Sequence, residues 1–185
     1  MKNIITIILG VALVGCSAHP ITQKPQEIVQ SCLGNSNLSP KFANQFEKVE
    51  DTQLLKKALG SPNQGKLCQG QVYKSKAQAQ VILYRAWNST NAHSKLGNWW
   101  AFHQPAGKIS NYRAEYGICY QWTPLDKLVS CTLKPNTKLV VGTGQSAKCS
   151  KYLTYPVSAK QQIYIDNAQS AVNNCRVLEG HFNWK

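Results

Sequence analysis

Six cysteines constrain this chain more than any other feature. Cys32, Cys68, Cys119, Cys131, Cys149 and Cys175 are spread over most of its length. A seventh, Cys16, sits in "LVGCSA" (13–18), where an apolar N-terminal run gives way to polar chain. That run carries Lys2 and then "IITIILGVALVG", apolar apart from Thr6. It is about a dozen residues, roughly 18 Å as a helix, and a membrane span needs ~20 residues. A short apolar run behind a lysine and ahead of small residues reads as a secretory signal. A buried N-terminal helix of the mature protein is the alternative. Export would place the remaining six cysteines in an oxidising compartment, where they predict up to three disulfides with the pairing left open.

Leu13-Val14-Gly15-Cys16 resembles the lipobox of bacterial lipoproteins. The resemblance implies cleavage before Cys16 and attachment of acyl chains to its sulfur and new amino terminus. Each buried methylene contributes ~0.8 kcal/mol, and several chains make a stable anchor. Ser17 follows rather than Asp, which in that family favours sorting to the outer membrane. Ordinary cleavage after Ala18, with release of a secreted protein, is the alternative. The expected organisation is a signal over 1–15, a tether over 16–31 that carries Pro20 and Pro25, and one globular domain over 32–185.

The net charge of +13 comes mostly from lysine, with arginine only at 85, 113 and 176. Dispersed lysine describes a solvated surface, and no nucleic-acid motif or Arg cluster accompanies it. A basic envelope protein beside anionic lipid fits the same charge. No C-x-x-C occurs, and His19, His93, His103 and His181 are scattered, so no metal site is expected.

Residues 41–59 place Phe42, Phe46, Val49, Leu55 and Leu59 at near-helical spacing. Asp51 is positioned to cap a second short helix, and Gly60 with Pro62 to end it. From Lys66 the texture changes. "KLCQGQVYK", "AQVILYRAW", "NWWAFH", "YGICYQW", "LVSCTLK", "TKLVVG", "QQIYID" and "RVLEGHFNW" are short runs rich in Val, Ile, Tyr and Trp, separated by turn residues. "KISNYRAE" reads as one or two helical turns between strands. The fold class is therefore α+β: a short helical part over 41–59, then a β-rich, split-sheet part over 66–185, stapled by disulfides.

Arg85 lies inside the apolar run "VILYRAW". A guanidinium there is costly unless it is paired or faces a cleft. Its fork suits phosphates and carboxylates; a structural ion pair with one of the eight acids is the plain alternative. "GTGQS" (142–146) lacks both the G-x-S-x-G elbow and a Walker lysine, so Ser146 is not read as a nucleophile. The plain reading of that loop is a hairpin or bulge pinned by a disulfide at Cys149.

"LYRA" (83–86) resembles the first block of ADP-ribosyltransferase toxins of the cholera-toxin type. "LGNWWAFHQPAGKISNYRAEY" (96–116) is similar to the G-x-F-x-x-P … Y-x-x-R-A order of secreted NAD glycohydrolases of the mycobacterial necrotising-toxin and fungal surface-enzyme type. "LKPNTKLVVGTGQSAKC" with "KQQIYI" resembles the late section of those glycohydrolases, where a Gln precedes a hydrophobic strand. The resemblance spans about residues 66–166. It implies that Arg85 organises an NAD site, that Trp99, Trp100 or Tyr112 stacks on nicotinamide, and that Gln162, with Gln161 beside it, is the late catalytic residue. NAD would be substrate, with no cofactor. The transferases carry a Glu in the last block, often Glu-x-Glu. Here Glu115 lies too early and Glu179 beyond the last expected strand, so NAD hydrolysis is favoured over transfer to protein. A non-catalytic outer-membrane lipoprotein that binds a protein or ligand is the competing expectation. In strand alternation Gln162 shares a face with Tyr164, and Ile163 shares the other with Ile165.

Overall fold

The computed structural model describes residues 31–178. Cys16, the lipobox, the tether up to residue 30 and Glu179 lie outside the described residues. Four short helices are present: α1 (Pro40–Ala43), α2 (Thr52–Ala58), α3 (Ile109–Tyr116) and α4 (Ala168–Ala171). Ten strands accompany them: β1 (Phe46–Lys48), β2 (Leu67–Ser75), β3 (Ile82–Trp87), β4 (Trp99–Trp100), β5 (Lys127–Leu133), β6 (Lys138–Gly144), β7 (Ala147–Lys148), β8 (Thr154–Tyr155), β9 (Ser158–Tyr164) and β10 (Val172–Leu178). This is the α+β, disulfide-stapled class read from the sequence.

The strands form two main antiparallel sheets. One has the order β1-β2-β6-β9-β4, the other β10-β5-β3, and β7 with β8 makes a separate hairpin. The two sheets meet at one place. Tyr84 N–H donates to the Ala101 carbonyl at 2.9 Å, and Ala101 N–H returns a bond to the Tyr84 carbonyl at 2.8 Å. That bridge brings the Arg85 strand against the chain just after the tryptophan pair.

Leu83, Val129, Leu133, Leu139, Val141, Ile163 and Ile165 fill the main core, with Phe42 and Phe46 packed in. On the opposite face of the five-stranded sheet, Leu54 and Ala58 of α2 cover Leu67, Val72 and Val140. β6 is thus buried on both faces, which is why "LVV" is a continuous apolar run rather than an alternation. Asp51 caps α2 as its position predicts, accepting from Leu54 N–H at 3.0 Å.

Three expectations need correction. The helical reading of 41–59 is broken by β1: Phe46 pairs with Ser75 and sends its ring into the core from a strand. Spacing by three or four residues mimicked a helix where two short helices flank an edge strand. "YGICYQW" is not a strand. Gly117 ends α3 in a left-handed conformation (φ 59°), and the chain then runs irregularly to β5. "NWWAFH" contributes a strand of only two residues.

The six cysteines pair as Cys32–Cys68, Cys119–Cys149 and Cys131–Cys175. Their sequence separations are 36, 30 and 44. Cross-links of that span each stabilise by about 3–4 kcal/mol through loss of unfolded-state freedom.

Candidate functional site

A cavity of about 290 Å³ opens beside the bridge that joins the two sheets. Its lining gathers all five residues singled out by the resemblance: Arg85 from β3, Trp99 and Trp100 from β4, Tyr112 from α3 and Gln162 from β9. Gln161, the neighbour, points elsewhere and donates from Nε2 to the carbonyls of Asn35 and Asn37 at 3.1 and 2.6 Å. The alternation of β9 sends Ile163 and Ile165 to the core and leaves Gln162 on the other side. Gln162 is nonetheless buried, because α3 and the chain after it cover that face.

Among the described residues Arg85 makes no ion pair. Nε donates to the Ser94 carbonyl at 2.8 Å and Nη1 to the Trp99 carbonyl at 2.6 Å. Carbonyls orient the fork without neutralising it, so its full charge remains for a ligand. Three of the five N–H donors of a guanidinium are left over. Burial pushes the Arg85 pKa down to about 10, and the nearby Tyr112 hydroxyl acts in the opposite direction. Arg85 is therefore charged at neutral pH.

The Ser94 carbonyl is held in place by its own turn. Ser94 Oγ donates to the Asn88 and Asn91 carbonyls at 3.0 and 2.7 Å, within the segment that includes the 3-10 turn Ala92–Leu96. Gly97 lies flat against the guanidinium. A Cβ there would collide with Nη2 and sit 2.9 Å from Cζ. Gly97 has an ordinary φ of −73°, so the requirement for glycine is one of space.

The tryptophans divide their roles. Trp100 is buried in the main core and donates from Nε1 to the Gly97 carbonyl at 2.8 Å. Only part of it meets the cavity, and packing dominates. Trp99 is half-buried and packs against Tyr164 with ring centroids 5.0 Å apart. Tyr112 and Tyr116 form a second aromatic wall at 4.5 Å. Burial raises the pKa of both, that of Tyr116 to about 12, and the Glu115 charge adds to the shift.

Gln162 donates from Nε2 to the Tyr116 carbonyl at 3.2 Å. With the amide nitrogen so tied, Oε1 is the atom left to accept from a ligand. Gly144 makes room for this arrangement, since a Cβ there would lie 3.0 Å from Gln162 Nε2.

No acidic residue lines the cavity among the described residues. Glu115 is turned to Lys160 at 3.3 Å. Asp126 accepts from Ser89 N–H at 2.9 Å and from its hydroxyl. The site therefore presents cationic and amide groups between aromatic walls, a composition suited to an anionic ligand with planar rings. Among the described residues no group of three His, Cys, Asp or Glu side chains gathers to hold a metal.

Sequence reasoning missed the remaining wall. Gly117, Ile118, Trp122, Thr123 and Leu125 all come from the segment between α3 and β5. Arg113 holds that segment. Nη1 donates to the Ile118 and Cys119 carbonyls at 3.4 and 3.3 Å, and Nη2 to those of Thr123 and Pro124 at 2.6 and 3.0 Å. The Cys119–Cys149 disulfide ties the same segment to the β7–β8 hairpin; the hairpin follows "GTGQS", whose Gly142–Gly144 end β6 with a register shift at Thr143/Gly144. Ser146 is buried, and its hydroxyl accepts from Asn63 N–H at 2.9 Å. No family model, curated protein or solved structure matches the chain.

Proposed function

We propose that this chain is an exported NAD-consuming enzyme, a glycohydrolase in preference to a protein ADP-ribosyltransferase, held at the bacterial envelope through Cys16. The observation that carries the reading is the convergence of Arg85, the tryptophan pair, Tyr112 and Gln162 on one cavity, which no acidic residue lines among the described residues.

The chemistry asks little of the protein beyond orientation and charge. The bond between nicotinamide N1 and ribose C1′ breaks with its electron pair leaving on nicotinamide. Water adds to C1′, one proton passes to solvent, and ADP-ribose and nicotinamide are released. Positive charge builds on the ribose as the bond lengthens, and hydrogen bonding to the 2′-hydroxyl strengthens with it. Gln162 Oε1 accepts from that hydroxyl. The free donors of Arg85 hold the pyrophosphate, and Trp99 and Tyr112 flank the nicotinamide. An amide gives less electrostatic help than a carboxylate, so turnover is expected to be slow.

The acid-free lining also favours a second reading, a lipoprotein that binds a nucleotide without cleaving it. Nicotinamide release from NAD by the purified chain separates the two. Release that falls at least a hundredfold in both Arg85→Ala and Gln162→Ala supports the enzyme. No release at high protein concentration, with NAD still bound in calorimetry, supports the binding protein. Neither release nor binding removes both readings.

A further inference from the structure

We propose that Trp122 and Lys66 form a second subsite at the mouth of the cavity, a stacking platform for the base of a nucleotide, which makes the site prefer a dinucleotide to a mononucleotide. The proposal rests on the NAD reading and extends it to residues outside the resemblance.

The first argument is size. About 290 Å³ lies at the lower edge of the ~300–1,000 Å³ usual for small-molecule sites. That volume suits one nucleotide half, with the nicotinamide ribose inside and its phosphate against Arg85. The other half must leave through the mouth.

The second argument is what stands there. Trp122 lines the cavity yet is 53 % exposed. Lys66 lines it and is exposed as well. The two are neighbours, because the Trp122 ring lies on Gly65. A Cβ on Gly65 would be 3.1 Å from Trp122 Cη2. Two other exposed aromatics, Tyr120 and Tyr152, do not line the cavity.

The third argument is that the platform is rigid. Trp122 N–H donates to the Cys119 carbonyl at 3.0 Å, and Cys119 is tied to Cys149. Gln121 Nε2 on one side of Trp122 donates to the Cys149 carbonyl at 2.7 Å, and the Thr123 carbonyl on the other accepts from Arg113. Beneath the ring, Gly65 N–H donates to the Ser146 carbonyl at 2.8 Å. Lys66 has φ of 65°, a left-handed conformation uncommon outside glycine. Its carbonyl accepts from Gln145 N–H at 2.9 Å and its ammonium donates to the Lys57 carbonyl at 3.2 Å. Strain of this kind collects where a ligand is met. A large aromatic on an anchored backbone and half in water, beside a cation and with no acid in the lining among the described residues, is a face prepared for an electron-rich ring on a phosphorylated ligand.

The test uses the purified full chain, with AMP as probe in calorimetry and NAD and nicotinamide mononucleotide as paired substrates. Trp122→Ala is expected to weaken AMP binding and raise KM for NAD by about tenfold, while nicotinamide mononucleotide changes less than twofold. Trp122→Phe should restore most of the loss. Lys66→Gln should weaken AMP binding a few-fold, most clearly at low salt. Equal shifts for both substrates, or none for either, overturn the subsite and leave the NAD reading standing. AMP binding that depends on Trp122 in a chain that releases no nicotinamide keeps the subsite and removes the enzyme. Absence of AMP binding to the wild-type chain overturns the subsite outright.

Discussion

Arg85 and Arg113 stand in the same tripeptide, Tyr-Arg-Ala, once in a strand and once in a helix. Both guanidiniums are held by backbone carbonyls, and neither is paired with a carboxylate among the described residues. They differ in how many carbonyls they meet. Arg113 reaches four, two on each Nη nitrogen. Arg85 reaches two, and its side chain lines the cavity. The guanidinium with four carbonyl partners is an internal clamp. The one with two is the binding group of the proposed site, its aim set by those two carbonyls. The distinction lies in hydrogen-bond arithmetic, and identical flanking residues conceal it.

Replacement of Arg113 should produce the largest effect. Arg113→Ala strips a charge-assisted partner from four carbonyls, that of the buried Cys119 among them, and should cost about 3 kcal/mol in chemical denaturation. Arg113→Lys should recover little, since a point charge does not span four acceptors. A loss below ~1 kcal/mol would show that the clamp is dispensable and that the disulfide alone holds the wall.

Arg85→Lys should behave in the opposite way. Stability should change by no more than about 1 kcal/mol, while nicotinamide release falls by about a hundredfold. A stability loss matching that of Arg113→Ala would erase the comparison. Binding of ADP-ribose should also follow the charge of Arg85. Its lowered pKa keeps it cationic through neutral pH, and affinity should fall as pH rises through about 10. Because folding lowers this pKa below its ordinary value, burial opposes the charged form at neutral pH. That opposition is relieved, and stability gained, as pH rises past the folded value.

Gly97→Ala moves Arg85 without removing it. The new methyl meets the end of a side chain, not backbone, so the fold should lose no more than ~1 kcal/mol. Nicotinamide release should fall about tenfold, mostly through KM, as misplacement of a binding group weakens the ground state too. The smallest effect belongs to a control remote from both arginines. Asp51→Ala removes the α2 cap, whose carboxyl is held below its ordinary pKa first by Leu54 N–H and then by Lys138. It should lower stability measurably in chemical denaturation and leave turnover unchanged. That contribution is present above the ordinary aspartate range and is lost as pH falls through the lowered value.

Some of this was legible in the sequence. The strand around Arg85, the doubly buried run in β6 and the short helix over "ISNYRAEY" carry their own pattern. The even set of six cysteines gave the number of staples. Their pairing was hidden because it depends on contacts across 30 to 44 residues. β1 was hidden because an edge strand of three residues inherits its identity from its partner, β2. Trp122 and Lys66 were hidden because irregular loops have no periodicity, and only the fold brings residue 65 under residue 122. Arg113 looked like an ordinary helix residue, since its acceptors lie beyond the helix end.

The Cys119–Cys149 bond has a consequence for timing. It staples the segment that supplies the cavity's outer wall, and a chain fresh from the ribosome in a reducing cytosol does not yet have it. The wall is then held by Arg113 and loop packing alone. If the chain is the exported NAD-consuming enzyme proposed above, the producing cell's own pool meets it before the pocket is finished. Oxidation after export would then act as an arming step, and the same covalent bond that stabilises the fold would protect the cell that makes it.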